Sequence, residues 1–367
     1  MVDGKFWTNV YRSFLRKRWG ISPVSARVLS NFFWSDYEQK IMPYYKIWGI
    51  HRKGFSVSDW CFLGLNENNY KEYMTNVEYC KMHRINGWVS IWIDDKLTLK
   101  YICAGTELDK YLPEYYYQID GEGKVLCLMD CPDRKNDADA HDVAALLEKK
   151  GVLAIKLIVG SIGVGFYKGE FKDGYYYLNG EKLDLDGFCE KIGSLRNYLI
   201  IEYLRPHKDL AEYCPSTVNC IRYLIGRVNG KMEMIKGYIR FGTKQSRFVE
   251  NYNAGGVLCY LDEEGQFTEG NIIDSQNHKN CIIEHHPDTG KELQGKIPMW
   301  DEIVEAGKAF DLHFPQMKYL GMDFVVTSDN RVKLLEINSL TSLDGIQLNG
   351  SILKTKSAAF YREQMNK

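Results

Sequence analysis

Two apolar runs, Gly321-Met322-Asp323-Phe324-Val325-Val326 and Val332-Lys333-Leu334-Leu335-Glu336-Ile337-Asn338, flank a polar turn at Thr327–Asn330. Runs of this length on either side of a Ser-Asp-Asn turn leave little choice but an antiparallel hairpin. Asp323 stands early in the first strand. Glu336 and Asn338 lie two apart in the second, so both point to one face. Three oxygen-bearing side chains thus converge beside an apolar sheet. Carboxylates there are costly unless something positive neutralises them. A hard cation such as Mg²⁺, which takes oxygen ligands and shares them with phosphates, would do so. The alternative is a hairpin whose acids face water.

The chain has 367 residues, enough for two or three domains. Its 45% apolar and 26% charged content is ordinary for a globular protein. A net charge of −1 sets up no global field toward nucleic acid or an acidic partner. Ten cysteines occur without CxxC spacing, and Cys127-x3-Cys131 is the tightest pair. With no signal-peptide-like start, reduced thiols in a cytoplasmic protein are expected. No run approaches the roughly 20 apolar residues of a membrane span.

Residues 5–50 read as helical and aromatic. Phe6, Val10, Phe14 and Leu15 share a face, and Arg12, Arg16, Lys17 and Arg18 form a cationic cluster. Such a segment could lie on the anionic inner face of a membrane through residues 5–18. A core-packed helix with a solvated face is the commoner outcome of the pattern. Residues 55–90 continue as helix up to Asn86-Gly87, and Trp88–Ile93 reads as a strand or a linker. Beyond it, Asp94-Asp95-Lys96 precedes a short helix, Leu97–Cys103, after an Asp cap, Lys124–Met129 is a strand, and Asp137–Lys149 is a helix closed by Gly151. Val152–Val159 is a buried strand, and Phe166–Phe171 pairs with Tyr175–Leu178. Leu185–Ile192 is a helix and Asn197–Leu204 a strand. Residues 217–226 and 232–241 pair across Val228-Asn229-Gly230-Lys231, and residues 300–312 form an amphipathic helix before the hairpin. This order is α+β rather than a regular βαβ series.

Lys156 sits inside the apolar run Val152–Val159, and Gly160-Ser161-Ile162-Gly163-Val164-Gly165 follows at once. Glycines let backbone amides approach a phosphate closely, and the lysine would reach the same phosphate. The Walker pattern is absent, and a strand rather than a helix follows the loop. A plain hairpin turn fits the glycines equally well. Ile200-Ile201-Glu202-Tyr203-Leu204 then breaks out into Arg205-Pro206-His207. A strand end of this kind can offer backbone groups to an adenine ring, with Asp209 or Glu212 near ribose hydroxyls. A simple exposed strand end is the alternative. His285-His286 before Pro287 reads as part of a turn.

The succession of lysine, lysine with glycine loop, strand end with acids, arginines on strands, Gly-x-Asp and Glu-x-Asn resembles the ATP-grasp superfamily. The likeness runs from about Asp94 to Gln347. It implies two α+β subdomains clasping ATP, residues 94–200 and 201–367, after a mainly helical region of residues 1–93. Lys96 and Lys156 would bind the phosphates, and Ser161, Gly163 and Gly165 would cover them. Glu202, Tyr203 and Leu204 would form the adenine hinge. Asp323, Glu336 and Asn338 would hold Mg²⁺, two ions in all, and Arg222 and Arg240 would assist the chemistry. Ser216–Arg222, Arg240-Phe241-Gly242, Val249-Glu250-Asn251, His286–Gly290 and Ile297–Trp300 resemble the sugar-transfer-associated branch. That branch implies activation of a carboxylate as acyl phosphate and its capture by an amine, in bacterial surface-polysaccharide assembly. The helical residues 1–90 depart from the small α/β unit usual in such ligases, so the acceptor stays open. A kinase stopping at phosphorylation, and a non-catalytic nucleotide-binding module, are the other readings.

Overall fold

The computed structural model describes residues 4–39, 41–158, 165–228, 230–246, 249–274 and 278–365. Its N-terminal third is helical: Gly4–Trp19, Pro23–Gln39 and Tyr44–Arg52 lead into shorter turns of helix at Val57–Phe62 and Asn76–Lys81. Ser56 and Thr75 cap the last two by accepting from backbone amides three residues on, and Glu78 completes a capping box. Gly4–Trp19 packs on a core, as the commoner outcome of its pattern has it, but through Tyr11, Leu15 and Trp19 rather than the full expected stripe. Leu15 is buried, but Val10 and Phe14 are 44% and 43% exposed. Phe14 stacks on Trp48 at 5.9 Å instead of entering that core. Trp88–Ile93 is not a strand. It forms a 3₁₀ turn and a helical turn, Gly87–Ser90 and Ile91–Asp94. Asn86 anchors its start by bonding the backbone of Lys318 and Tyr319, and Asp94 accepts from Ser339 at its end, so both ends are held short of strand length.

The middle of the chain makes a seven-stranded antiparallel sheet around Tyr115–Ile119, Val152–Leu157 and Tyr198–Glu202. Alternation along Val152–Leu157 sends Leu153 and Ile155 to one face. There they pack on Val143, Leu147, Phe188 and Ile192, from the helices Ala140–Lys150 and Leu185–Ser194. Ala154 goes to the other face with Tyr115, Leu199 and Ile201, and Lys156 shares that side by period.

A second sheet of seven strands contains Ile221–Val228, Lys231–Phe241, Val257–Leu261 and the closing hairpin, Tyr319–Val326 with Val332–Asn338. The hairpin turn expected at residues 228–231 joins two of these strands, and its Asn229 lies outside the described residues. The helix Trp300–His313 covers one face. The same core takes in Ile93, Leu99, Cys103, Leu108, Tyr111 and Leu112, from the border between the helical region and the first sheet. Among the described residues no helix is long and apolar enough to cross a membrane. All ten cysteines are free thiols.

Candidate functional site

Register in the second sheet builds one wall of the site. Tyr238 pairs with Arg222, Arg222 with Asp323, and Asp323 with Glu336, across four adjacent strands. Directly opposed residues share a face, so these side chains form one transverse row. Arg222 is bidentate to Asp323 through Nε and Nη2, the latter at 2.9 Å. Arg240, two residues on from Tyr238, donates to the same carboxylate at 3.0 Å. Burial alone would raise the Asp323 carboxyl. The two guanidinium charges outweigh it and hold the group below the usual carboxylate range. Glu336 is taken by Lys96, whose Nζ lies 2.8 Å from Oε2. Asn338 leans on Glu336 through a 3.3 Å hydrogen bond.

The first sheet supplies the facing wall, and a cavity of about 940 Å³ separates the two. Lys156 enters it from Val152–Leu157 with no hydrogen-bond or ion-pair partner among the described residues. Desolvation lowers its pKa, the charge of Lys96 adds to this, and Glu336 pulls back; the net value is about 8. Lys168 lines the cavity from the adjacent strand, where it opposes Ala154. Tyr203, Leu204 and Arg205 close one edge, with the Arg205 guanidinium 5.8 Å from the centre of the Tyr203 ring.

Lys96, Lys156, Glu202, Tyr203, Leu204, Arg222, Arg240, Asp323, Glu336 and Asn338, all singled out in the sequence, meet around this cavity. Glu202 is fixed within it: Arg331 donates to its Oε1 at 2.7 Å and the Glu114 amide to its Oε2 at 3.2 Å. Asp209 and Glu212 are not on the lining. Asp209 sits beside His207 at the start of a helical turn, and Glu212 pairs with Lys291. Ser161 and Gly163 lie outside the described residues. Gly165 is described at φ +73°, and a Cβ there would stand 2.8 Å from the Tyr198 hydroxyl, so a side chain has no room. His286 is buried in a turn and gives its Nε2 proton to the Gly242 carbonyl at 2.9 Å. Four further lining residues, Lys168, Tyr238, Asp344 and Phe32, escaped the sequence reading. Alternation with Lys156 across a short hairpin was a usable signal for Lys168. None existed for Phe32, which comes from the helix Pro23–Gln39.

The site suits a polyanion. Lys156 is an uncompensated cation on the cavity wall, and the Arg240 Nε is buried without a partner. A nucleotide phosphate would compensate Lys156, whereas the Arg240 Nε has no surface open to the cavity. For a divalent cation, two carboxylates and an amide oxygen have the right donor chemistry. Each carboxylate already holds a protein cation, however, so metal at Asp323 or Glu336 implies that the arginines or Lys96 move to other anions. Among the described residues no three His, Cys, Asp or Glu side chains form a metal-holding group.

The family described as sugar-transfer associated ATP-grasp matches residues 77–361. No curated protein matches the chain. Among solved structures, D-alanyl-alanine synthetase A from Vibrio cholerae is 13% identical, covers 77% of this chain and 66% of its own, and superposes with a TM-score of 0.44. An N5-carboxyaminoimidazole ribonucleotide synthetase in complex with ADP is 10% identical over 71% of this chain and 52% of its own, with a TM-score of 0.37. A Chryseobacterium gregarium RiPP-associated ATP-grasp ligase, solved with ADP and a leader and core peptide, is 10% identical over 83% and 70%, with a TM-score of 0.38. The chain thus spans between half and two thirds of the length of the first two.

Proposed function

Because this chain belongs to the sugar-transfer-associated ATP-grasp family, we propose that it is a ligase that uses ATP to activate a carboxylate as an acyl phosphate and passes it to an amine. The observation that carries this reading is the sorting of charge in one cavity. An unpaired lysine on the first sheet faces a row of paired arginines and acids on the second. Phosphoryl transfer asks mainly for positioning and for cations around the moving charge. Lys156 and Lys96 would grip the nucleotide phosphates. Arg222 and Arg240, released from Asp323 where Mg²⁺ takes its oxygens, would meet the charge that develops on the transferred group and on the carboxylate attacking it. Tyr203 and Leu204 would flank the base. Glu336, Asn338 and Asp323 would hold Mg²⁺, which when bound neutralises part of the phosphate charge.

Calorimetry with a non-hydrolysable ATP analogue tests the nucleotide site. Binding that weakens strongly without Mg²⁺ is expected, and no binding under any metal condition sinks the reading. Product analysis tests the reaction: ADP, phosphate and a new amide support the ligase, whereas a stable phosphate ester identifies a phosphotransferase. The family's association with sugar transfer supports a place in bacterial surface-polysaccharide assembly, on the cytoplasmic side. The exposed Val10, Phe14, Tyr44, Tyr45 and Trp48 beside Arg16, Lys17 and Arg18 support peripheral docking on an anionic bilayer. Salt-sensitive co-sedimentation with anionic vesicles, abolished by alanine at the three basic positions, is the expected outcome. Equal pelleting of the variant refutes docking.

A further inference from the structure

The row that ends at Glu336 begins at Tyr238, three strands away, or about 14 Å at ~4.8 Å per strand. The two ends of the cavity differ in charge. At the Glu336 end stand Lys96 and Lys156. Beside Tyr238 the lining carries a carboxylate instead, Asp344, while Glu250 feels Arg240, Asp323 and Glu336. Of the five acids on the cavity wall, Glu202 is paired with Arg331, Asp323 with Arg222 and Arg240, and Glu336 with Lys96. Glu250 and Asp344 have no ion-pair partner among the described residues. Asp344 takes only the Gly345 amide at 2.7 Å and a 3.4 Å contact from the Asn253 side-chain amide.

A second observation lies beside Asp344. Tyr238 is 3% exposed, yet its hydroxyl has no hydrogen-bond partner among the described residues. That hydroxyl stands where a Cβ on the cavity residue Gly345 would be 3.0 Å away, next to Asp344. The residue lines the cavity, so water or a ligand there can complete the hydroxyl. Phe32 brings an aromatic side chain to the same cavity from the helical region. Its ring adds a face that attracts cations.

We propose that the Tyr238 end of the cavity is the acceptor subsite, and that it binds a primary ammonium group between Asp344 and the Tyr238 hydroxyl. This rests on the ligase reading and adds to it the charge class of the acceptor and the residues that select it. The Asp344 oxygens and the Tyr238 hydroxyl can accept from an ammonium, and the unpaired carboxylate matches its charge. The arrangement also explains the order of the row. Arg222 and Asp323 stand in the row between the phosphate-gripping lysines and Tyr238 with Asp344, where a phosphorylated carboxylate must lie to be met from the far side. It gives the helical region a part in the site, since Phe32 reaches the cavity from there.

An amino sugar and an amino acid both present this ammonium, so the test uses one probe of each. Calorimetry is run on the full chain with a saturating non-hydrolysable ATP analogue and Mg²⁺. The probes are D-glucosamine and glycinamide, with N-acetyl-D-glucosamine and N-acetylglycinamide as uncharged counterparts. At least one amine should bind tenfold or more tighter than its acetylated form, and which one does so names the source. Asp344→Asn should weaken that binding about tenfold and Tyr238→Phe about threefold, with affinity for the ATP analogue unchanged. Tyr238→Phe deletes only an unmatched hydroxyl, so it keeps the test valid if Asp344→Asn folds poorly. Amines that bind no better than their acetylated forms overturn the subsite, as do variants that leave amine affinity unchanged. Failure of the wild type to bind the ATP analogue is a different result, and it removes the ligase reading instead.

Discussion

Two strands carry a lysine into a sheet and treat it in opposite ways. Lys333, on the closing hairpin, is 6% exposed and donates to the carbonyls of Lys110 and Leu112 at 2.9 and 2.7 Å. Lys156, on Val152–Leu157, has no partner among the described residues and faces the cavity. Burial lowers both pKa values, so desolvation does not separate them. Their partners do. The protein completes Lys333 from its own backbone, tying the 3₁₀ turn Asp109–Tyr111 to the hairpin. It leaves Lys156 to be completed from outside. The carboxylates divide the same way: Asp323 is saturated by arginines, and Asp344 is not. Internally matched charge builds the wall, and unmatched charge marks where ligand belongs.

The sharpest way to break this contrast is Asp323→Asn. It leaves two buried guanidinium groups without their counter-charge, and removing one partner of a buried pair costs about 3–5 kcal/mol. Denaturant unfolding should show that loss, and an unchanged midpoint would mean that Asp323 is not the anchor of the row. Lys333→Met should come next. Two carbonyls lose their donor, for a loss of about 2–3 kcal/mol, while nucleotide binding by the folded fraction persists. Lys156→Met should reverse that pattern. Stability holds or rises, since a methionine suits the apolar strand and has no charge to desolvate. Affinity for the ATP analogue falls about tenfold or more, the worth of a hydrogen bond to a charged group. If Lys156→Met instead unfolds the protein and spares affinity, the two lysines have been assigned the wrong way round.

The smallest effect is in pH. The Lys156 pKa is about 8 in the native protein, below the 10.5 of a free lysine. Between those values the unfolded chain binds more protons than the native one. Stability due to this group therefore rises with pH from about 8 to 10.5, and the penalty for burying its charge is fully present below pH 8. Wild type should gain stability relative to Lys156→Met across that window. Nucleotide affinity should decline over the same range, because the deprotonated amine no longer attracts phosphate. A flat difference between the two proteins would show that Lys156 is not desolvated.

Much of this was legible before any coordinates. The hairpin Tyr319–Val326 with Val332–Asn338, the strand bearing Lys156 and the helix closed by Gly151 all follow from period, turn residues and caps, which act over a few neighbouring positions. So does the sharing of a face by Glu336 and Asn338. The first helix was less legible. An apolar stripe reports that a face can be buried, not that anything covers it, and Val10 and Phe14 stayed out. The site's wiring was not legible at all. Arg222, Asp323 and Glu336 are opposed only because Ile221–Val228 inserts beside the hairpin in one register. A slip of one residue would turn the Arg222 side chain to the opposite face. The sequence by itself determined which charges exist and which short elements carry them, because those are local matters of propensity and periodicity. Only the tertiary structure decided which charges neutralise one another and which face an open cavity, because pairing depends on contacts between residues about 100 positions apart, set by strand order and register.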